Sequence, residues 1–110
     1  MIKILLDECL PKKLKYRIEE LDQDFFTKTT PDMGWASLSN GELLSMAEGE
    51  FDVFITSDKN LSFQQSISSS SIQVVLLKAR TNIYEDLFLL VEKLPSVIKA
   101  HKPGKFIEIE

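Results

Sequence analysis

The chain has one cysteine, one histidine, one tryptophan and four glycines among its 110 residues. Each scarcity closes off a class of chemistry. Cys9 has no partner for an internal disulfide, which points to a reducing, cytoplasmic setting. A lone Cys with a lone His, His101, cannot make a closed zinc site. Four glycines, none of them in a G-x-G-x-x-G or G-K-[ST] arrangement, leave no phosphate-cradling loop. No apolar run approaches the roughly 18–20 residues of a membrane span, so no membrane partner is expected. Met1 leads straight into an apolar stretch, with no room for a signal peptide before it. Basic residues are also in short supply, 13 Lys and Arg against 17 Asp and Glu, for a formal net charge of −4. Proteins that grip nucleic acid through bulk charge are usually basic. Any such role here needs a local patch, or metal ions that reverse the sign of an acidic pocket.

What is present reads as one globular domain, with 44 % hydrophobic and 27 % charged residues. Ile2 to Leu6 is a continuous apolar strand, the kind covered on both faces. A helix is predicted from about Pro11, with Leu14, Ile18 and Leu21 at helical spacing. Phe25 to Thr29 is a short second strand, followed by a loop, "TPDMGWAS". Ser39 to about Ala47 is helical, with Leu43, Leu44, Met46 and Ala47 on its apolar side. Asp52 to Thr56 is a third strand. "NLSFQQSISSSS" loses periodicity, and the run Ser68 to Ser71 reads as a loop. Ile72 to Leu77 is a fourth strand. One long helix should follow, capped by Thr81 or Asn82 and striped by Ile83, Leu87, Leu90, Val91, Leu94 and Ile98. "HKPGK" is a turn, and "FIEIE" alternates like an edge strand that a second copy could extend. The phenylalanines at 25, 26, 51, 54 and 88 read as core. Trp35 reads as the cover of a pocket or an interface residue. This alternation predicts a three-layer α/β/α sandwich around a mainly parallel sheet of about five strands.

Sites on such sheets form beyond the carboxyl ends of the strands. The first strand ends on Asp7 and Glu8, and the third runs into Asp58. If those strands are neighbours, their carboxylates converge and call for a cation, and hard oxygens favour Mg²⁺ or Mn²⁺. Asp7 or Glu8 could equally favour the positive end of the helix near Pro11. Glu42 fits an S-x-x-E capping box with Ser39. Lys59 reads as solvated, whereas Lys78 and Arg80 follow the fourth strand at the same end as the acids and suit phosphates. Cys9 reads as a small packing residue.

"LLDECLP", "MGWASLSNGELLSMA" and "FITSDKNL" together resemble the "DENLP", "SDEEILELA" and "LVTxDKDF" segments of small prokaryotic PIN-like proteins, and the resemblance covers nearly the whole chain. It implies a metal-dependent ribonuclease, the toxin of a toxin–antitoxin pair. Its site would use Asp7, Glu42 and Asp58, with Glu8 adjacent, around Mg²⁺ or Mn²⁺. Lys59, Lys78 or Arg80 would hold the RNA backbone. A cognate antitoxin and a homodimer are the implied protein partners. Asn40, Gly41, Asn60, Leu61 and Cys9 depart from the pattern, and Asn40 and Asn60 stand where it has acids. Two alternatives follow: a catalytically silent PIN-like module that only binds a partner, and a phospho-acceptor receiver domain built on Asp7, Glu8, Asp58 and Lys78.

Overall fold

The structure, a computed structural model, describes residues 1–58, 71–100 and 106–110. Lys59, Asn60, His101 and most of the serine run therefore lie outside the described residues. The elements run β1 (Ile2–Leu6), α1 (Leu14–Leu21), β2 (Phe25–Thr29), a 3₁₀ turn (Pro31–Met33), α2 (Asn40–Ala47), β3 (Val53–Thr56), β4 (Gln73–Leu77), α3 (Tyr84–Val91), α4 (Leu94–Lys99) and β5 (Phe106–Ile109). The five strands form one sheet in the order β2-β1-β3-β4-β5. Every pairing is parallel.

Period-two alternation in the apolar strands divides the core into two layers. Ile4, Leu6, Val53, Ile55, Val75 and Leu77 face α1, α3 and α4, where Leu14, Ile18, Leu87, Val91, Leu94 and Ile98 meet them. Leu5, Phe54 and Val74 face the other way, against Leu43, Leu44 and Ala47 of α2. The chain is thus an α/β/α sandwich with its sheet covered on both sides.

Four local expectations are corrected. The long helix is two helices, because Pro95 lacks the N–H that would bond Val91 and its ring crowds that carbonyl. The chain turns at Glu92 and Lys93 and restarts with the proline in the first turn of α4, where its missing donor costs nothing. Thr81 does not cap α3 directly: its hydroxyl accepts from the Ile83 N–H at 3.2 Å and donates to Asp86 at 2.6 Å. Phe26 is 40 % and Met46 50 % exposed, so neither belongs to the core. The first helix begins at Leu14, after a turn in which the Leu14 N–H bonds the Pro11 carbonyl at 3.0 Å.

A parallel sheet leaves outward N–H groups along its first edge, a template for unwanted pairing. On β2 three of them are occupied. Phe25 N–H donates to the Asp22 carbonyl at 3.1 Å. Thr27 N–H donates to Glu19 at 3.0 Å and Thr29 N–H to Asp32 at 3.0 Å. Two carboxylates from α1 and the 3₁₀ turn therefore close this edge. Glu19→Ala should destabilise the fold by about 1 kcal/mol, the net value of one such bond when water can replace it. Urea unfolding measures that loss, and hydrogen exchange at the Thr27 amide should speed selectively.

Candidate functional site

β1 lies between β2, which follows it in sequence, and β3, so the strand order reverses direction at the β1/β3 boundary. In this topology a crevice opens there, beyond the carboxyl ends of the strands. Asp7 continues β1 into that crevice, its N–H donating to the Ile55 carbonyl at 2.9 Å. Asp7 is only 8 % exposed. Oδ1 accepts from the Glu8 N–H at 2.8 Å. Oδ2 accepts from the Thr56 hydroxyl at 2.7 Å and the Cys9 thiol at 3.3 Å. Thr56 Oγ1 accepts in turn from the Asp58 N–H at 3.0 Å. Two hydrogen bonds through one hydroxyl thus tie the end of β1 to the second residue beyond β3.

Around this hub the candidate residues divide among three clefts. Asp7 and Glu8 line one of about 250 Å³ with Leu10, Lys12, Thr29, Pro31 and Asp32. Asp58 lines another of about 420 Å³ with Cys9, Ser57 and the Ala79–Asn82 turn, Arg80 included. Glu42 stands in a third with Gly34, Trp35, Leu38, Ser45 and Met46. The structure therefore brings Asp7 and Asp58 together through Thr56 and leaves Glu42 apart. Glu42 forms both halves of the capping box: Ser39 N–H and hydroxyl donate to its Oε1, and its own N–H returns to Ser39 Oγ. Those bonds hold its carboxyl below the usual range. Glu8 is turned outward, its Oε1 accepting from the Ser37 N–H at 3.0 Å. It pins a loop residue whose φ of 71° is left-handed. Trp35 covers the α2 layer, edge-on to Phe51 with ring centroids 6.0 Å apart.

The basic candidates also separate. Lys78 sits 3.0 Å from Glu108 and 2.9 Å from Glu110, and bonds to those two carboxylates push its pKa up. It is committed to β5. Arg80 is 86 % exposed on the rim of the Asp58 cleft, its nearest partner Asp86 at 3.8 Å.

Among the described residues no three His, Cys, Asp or Glu side chains come together in a metal-holding group. Mg²⁺ does not require three: it is bound through one or two carboxylates together with waters and substrate phosphates. Asp7 and Asp58 form a pair of that hard-oxygen type, linked through Thr56 by the Asp58 backbone N–H. Glu42 and Glu8 are outside it. Cys9 adds no soft ligand: burial pushes its thiol pKa up, so it stays protonated and donates to Asp7.

Sequence reasoning passed over Thr56 and Asp32, although both carried a signal. Thr56 precedes Asp58 by two, the spacing of a hydroxyl that accepts the second N–H along. Thr29 and Asp32 have the three-residue spacing of a reciprocal cap. The Asp32 N–H donates to Thr29 Oγ1 at 3.1 Å, opposite the Thr29 N–H bond to its carboxylate. That bond, with Lys15 at 3.3 Å, lowers the Asp32 carboxyl from 3.8 to about 2.

Thr56→Val should cost about 1–3 kcal/mol, since it strips the hydroxyl from Asp7 and the acceptor from the Asp58 N–H without changing shape. Thr56→Ser should recover most of that loss in the same urea titration. Asp32 has a depressed folded pKa, so its contribution is complete above its unfolded value of 3.8 and is lost as pH falls through about 2. Asp32→Asn should therefore flatten the acid limb of stability between those values, measured by thermal unfolding across pH. Comparison of the chain with protein-family models, with curated proteins and with solved structures gives no match, so its functional reading stands on this geometry.

Proposed function

We propose that the chain is a PIN-like, Mg²⁺- or Mn²⁺-dependent endoribonuclease, the toxin partner of an antitoxin, with its site at the carboxyl ends of β1 and β3. The observation that supports this most is the junction of Asp7 and Asp58 through Thr56 at the β1/β3 switch point. Asp7 and Asp58 are the residues that would hold the ion. When bound, such an ion supplies an acidified water and neutralises charge on phosphoryl oxygens. The chain's own groups do the rest. Thr56 and Cys9 donate to Asp7 and fix the direction of its free lone pairs. Arg80, on the open rim, binds a flanking phosphate as a planar, permanently charged donor. In this reading Glu42 is the cap of α2.

One observation favours a second reading, a partner-binding module without catalysis. Glu42 lines a cleft of about 380 Å³ whose other walls include Trp35, Leu38 and Met46, a surface with the apolar character of an interface. The receiver reading is weaker. Its strand order is the same, but the lysine it needs, Lys78, follows β4 and is bound to Glu108 and Glu110.

The test is cleavage of a mixed RNA pool in Mn²⁺ or Mg²⁺ against EDTA, with Asp7→Asn and Asp58→Asn alongside. Both variants should lose metal-dependent cleavage. Repulsion within a crowded acidic cluster would make Asp7→Asn nearly neutral for stability, but Asp7 accepts three hydrogen bonds. Its replacement should therefore cost about 1–3 kcal/mol. Asp58→Asn keeps the backbone N–H that bonds Thr56, and urea unfolding of both variants separates a loss of stability from a loss of cleavage. Wild-type protein that is inert in both metals would remove the nuclease reading in favour of the binding module.

A further inference from the structure

The Asp7 hub separates two clefts, and among the described residues each has one cation on its wall that is not held in a close ion pair. On the β2 side Lys12 lines the cleft shared by Asp7 and Asp32. It is exposed, in the turn before α1, and makes no ion pair among the described residues. On the β4 side Arg80 lines the Asp58 cleft. The other described cations nearby are occupied. Lys15 is 3.3 Å from Asp32, Lys78 is shared by Glu108 and Glu110, and the Lys13 ammonium lies 4.4 Å above the Tyr84 ring. Between the two clefts stands the contact of the Cys9 thiol with Asp7 Oδ2, 3.3 Å long. Cys9 walls one cleft and Asp7 the other, so the clefts are neighbours across one hydrogen bond.

We infer that one extended nucleic-acid strand crosses the carboxyl ends of the sheet with a phosphate on Lys12 to one side of Asp7 and a phosphate on Arg80 to the other, which makes Lys12 a substrate-positioning residue. The inference rests on the nuclease reading for its choice of ligand. The occupant is a single strand because one cation on either side of Asp7 offers a single line of phosphate contacts and not the two lines that a duplex presents. With a net charge of −4 there is no bulk attraction to substitute for these contacts. Few phosphates are neutralised, and binding falls only gently with salt.

The experiment is fluorescence anisotropy of a labelled 2′-O-methyl oligouridine in Mg²⁺ over a salt series, with a gel showing the probe intact. Wild type is compared with Lys12→Ala, Arg80→Ala, the double variant and Lys3→Ala. Lys3 is exposed at the opposite end of the sheet and walls a different cleft, so its variant makes the same charge change away from the site. Lys12→Ala and Arg80→Ala should each weaken binding and each lower the slope of log K against log salt by about 0.7, the value for one phosphate contact on a single strand. The double variant should lose about twice that, and Lys3→Ala should match wild type. A Lys12→Ala slope and affinity equal to wild type, with Arg80→Ala shifted, would overturn the two-sided path while leaving the nuclease reading intact. An equal loss in Lys3→Ala would reduce the effect to net charge and overturn it too. Tighter binding of a duplex than of the single strand would exclude the single-strand path. No binding by wild type would remove the inference together with the reading beneath it.

Discussion

The architecture at the working end of this molecule depends on how one nearly buried carboxylate is kept satisfied. An ionised Asp removed from water is tolerated only where hydrogen bonds replace its hydration. Asp7 has three donors, an N–H, a hydroxyl and a thiol, drawn from its own turn and from β3. That requirement dictates the neighbours. Thr56 must be a hydroxyl, Cys9 must stay protonated, and β1 and β3 must end level with each other. The parallel register Leu6 with Ile55 provides that alignment. The same bonds that stabilise the carboxylate also fix its orientation at the switch point.

Carboxylates do three separate jobs in this chain, and their surroundings sort them. Glu19 and Asp32 close the β2 edge by accepting strand N–H groups. Glu42 and Glu8 hold backbone, the first at a helix start and the second at a left-handed loop residue. Asp7 and Asp58 are joined across the switch point through Thr56. A count of acids therefore overstates the site: four of the six are engaged in keeping polypeptide in place. The cations sort in the same way. Lys15 and Lys78 answer to fixed carboxylates, while Lys12 and Arg80 remain turned to solvent beside the clefts.

Much of the fold was legible in the chain because its signals are local. Five apolar runs separated by helical stripes imply parallel strands and crossovers, and Ser39 with Glu42 announces a cap through four consecutive residues. The break at Pro95 was equally local, and a stripe of apolar residues running through it concealed the missing N–H. Phe26 and Met46 were misplaced because hydrophobicity says what a side chain prefers, not which face of an element the neighbouring layers leave uncovered.

By itself the sequence determined the alternation of strands and helices, the covered sheet and the presence of acids at two strand ends, since each follows from periodicity within about ten residues. Only the tertiary structure decided which acids meet. The order β2-β1-β3-β4-β5 brings Asp7 beside Thr56 and Asp58 across a separation of about fifty residues, and leaves Glu42 in a separate cleft. Strand neighbours are chosen by the burial of both sheet faces at once, a sum over the whole core that no single segment carries.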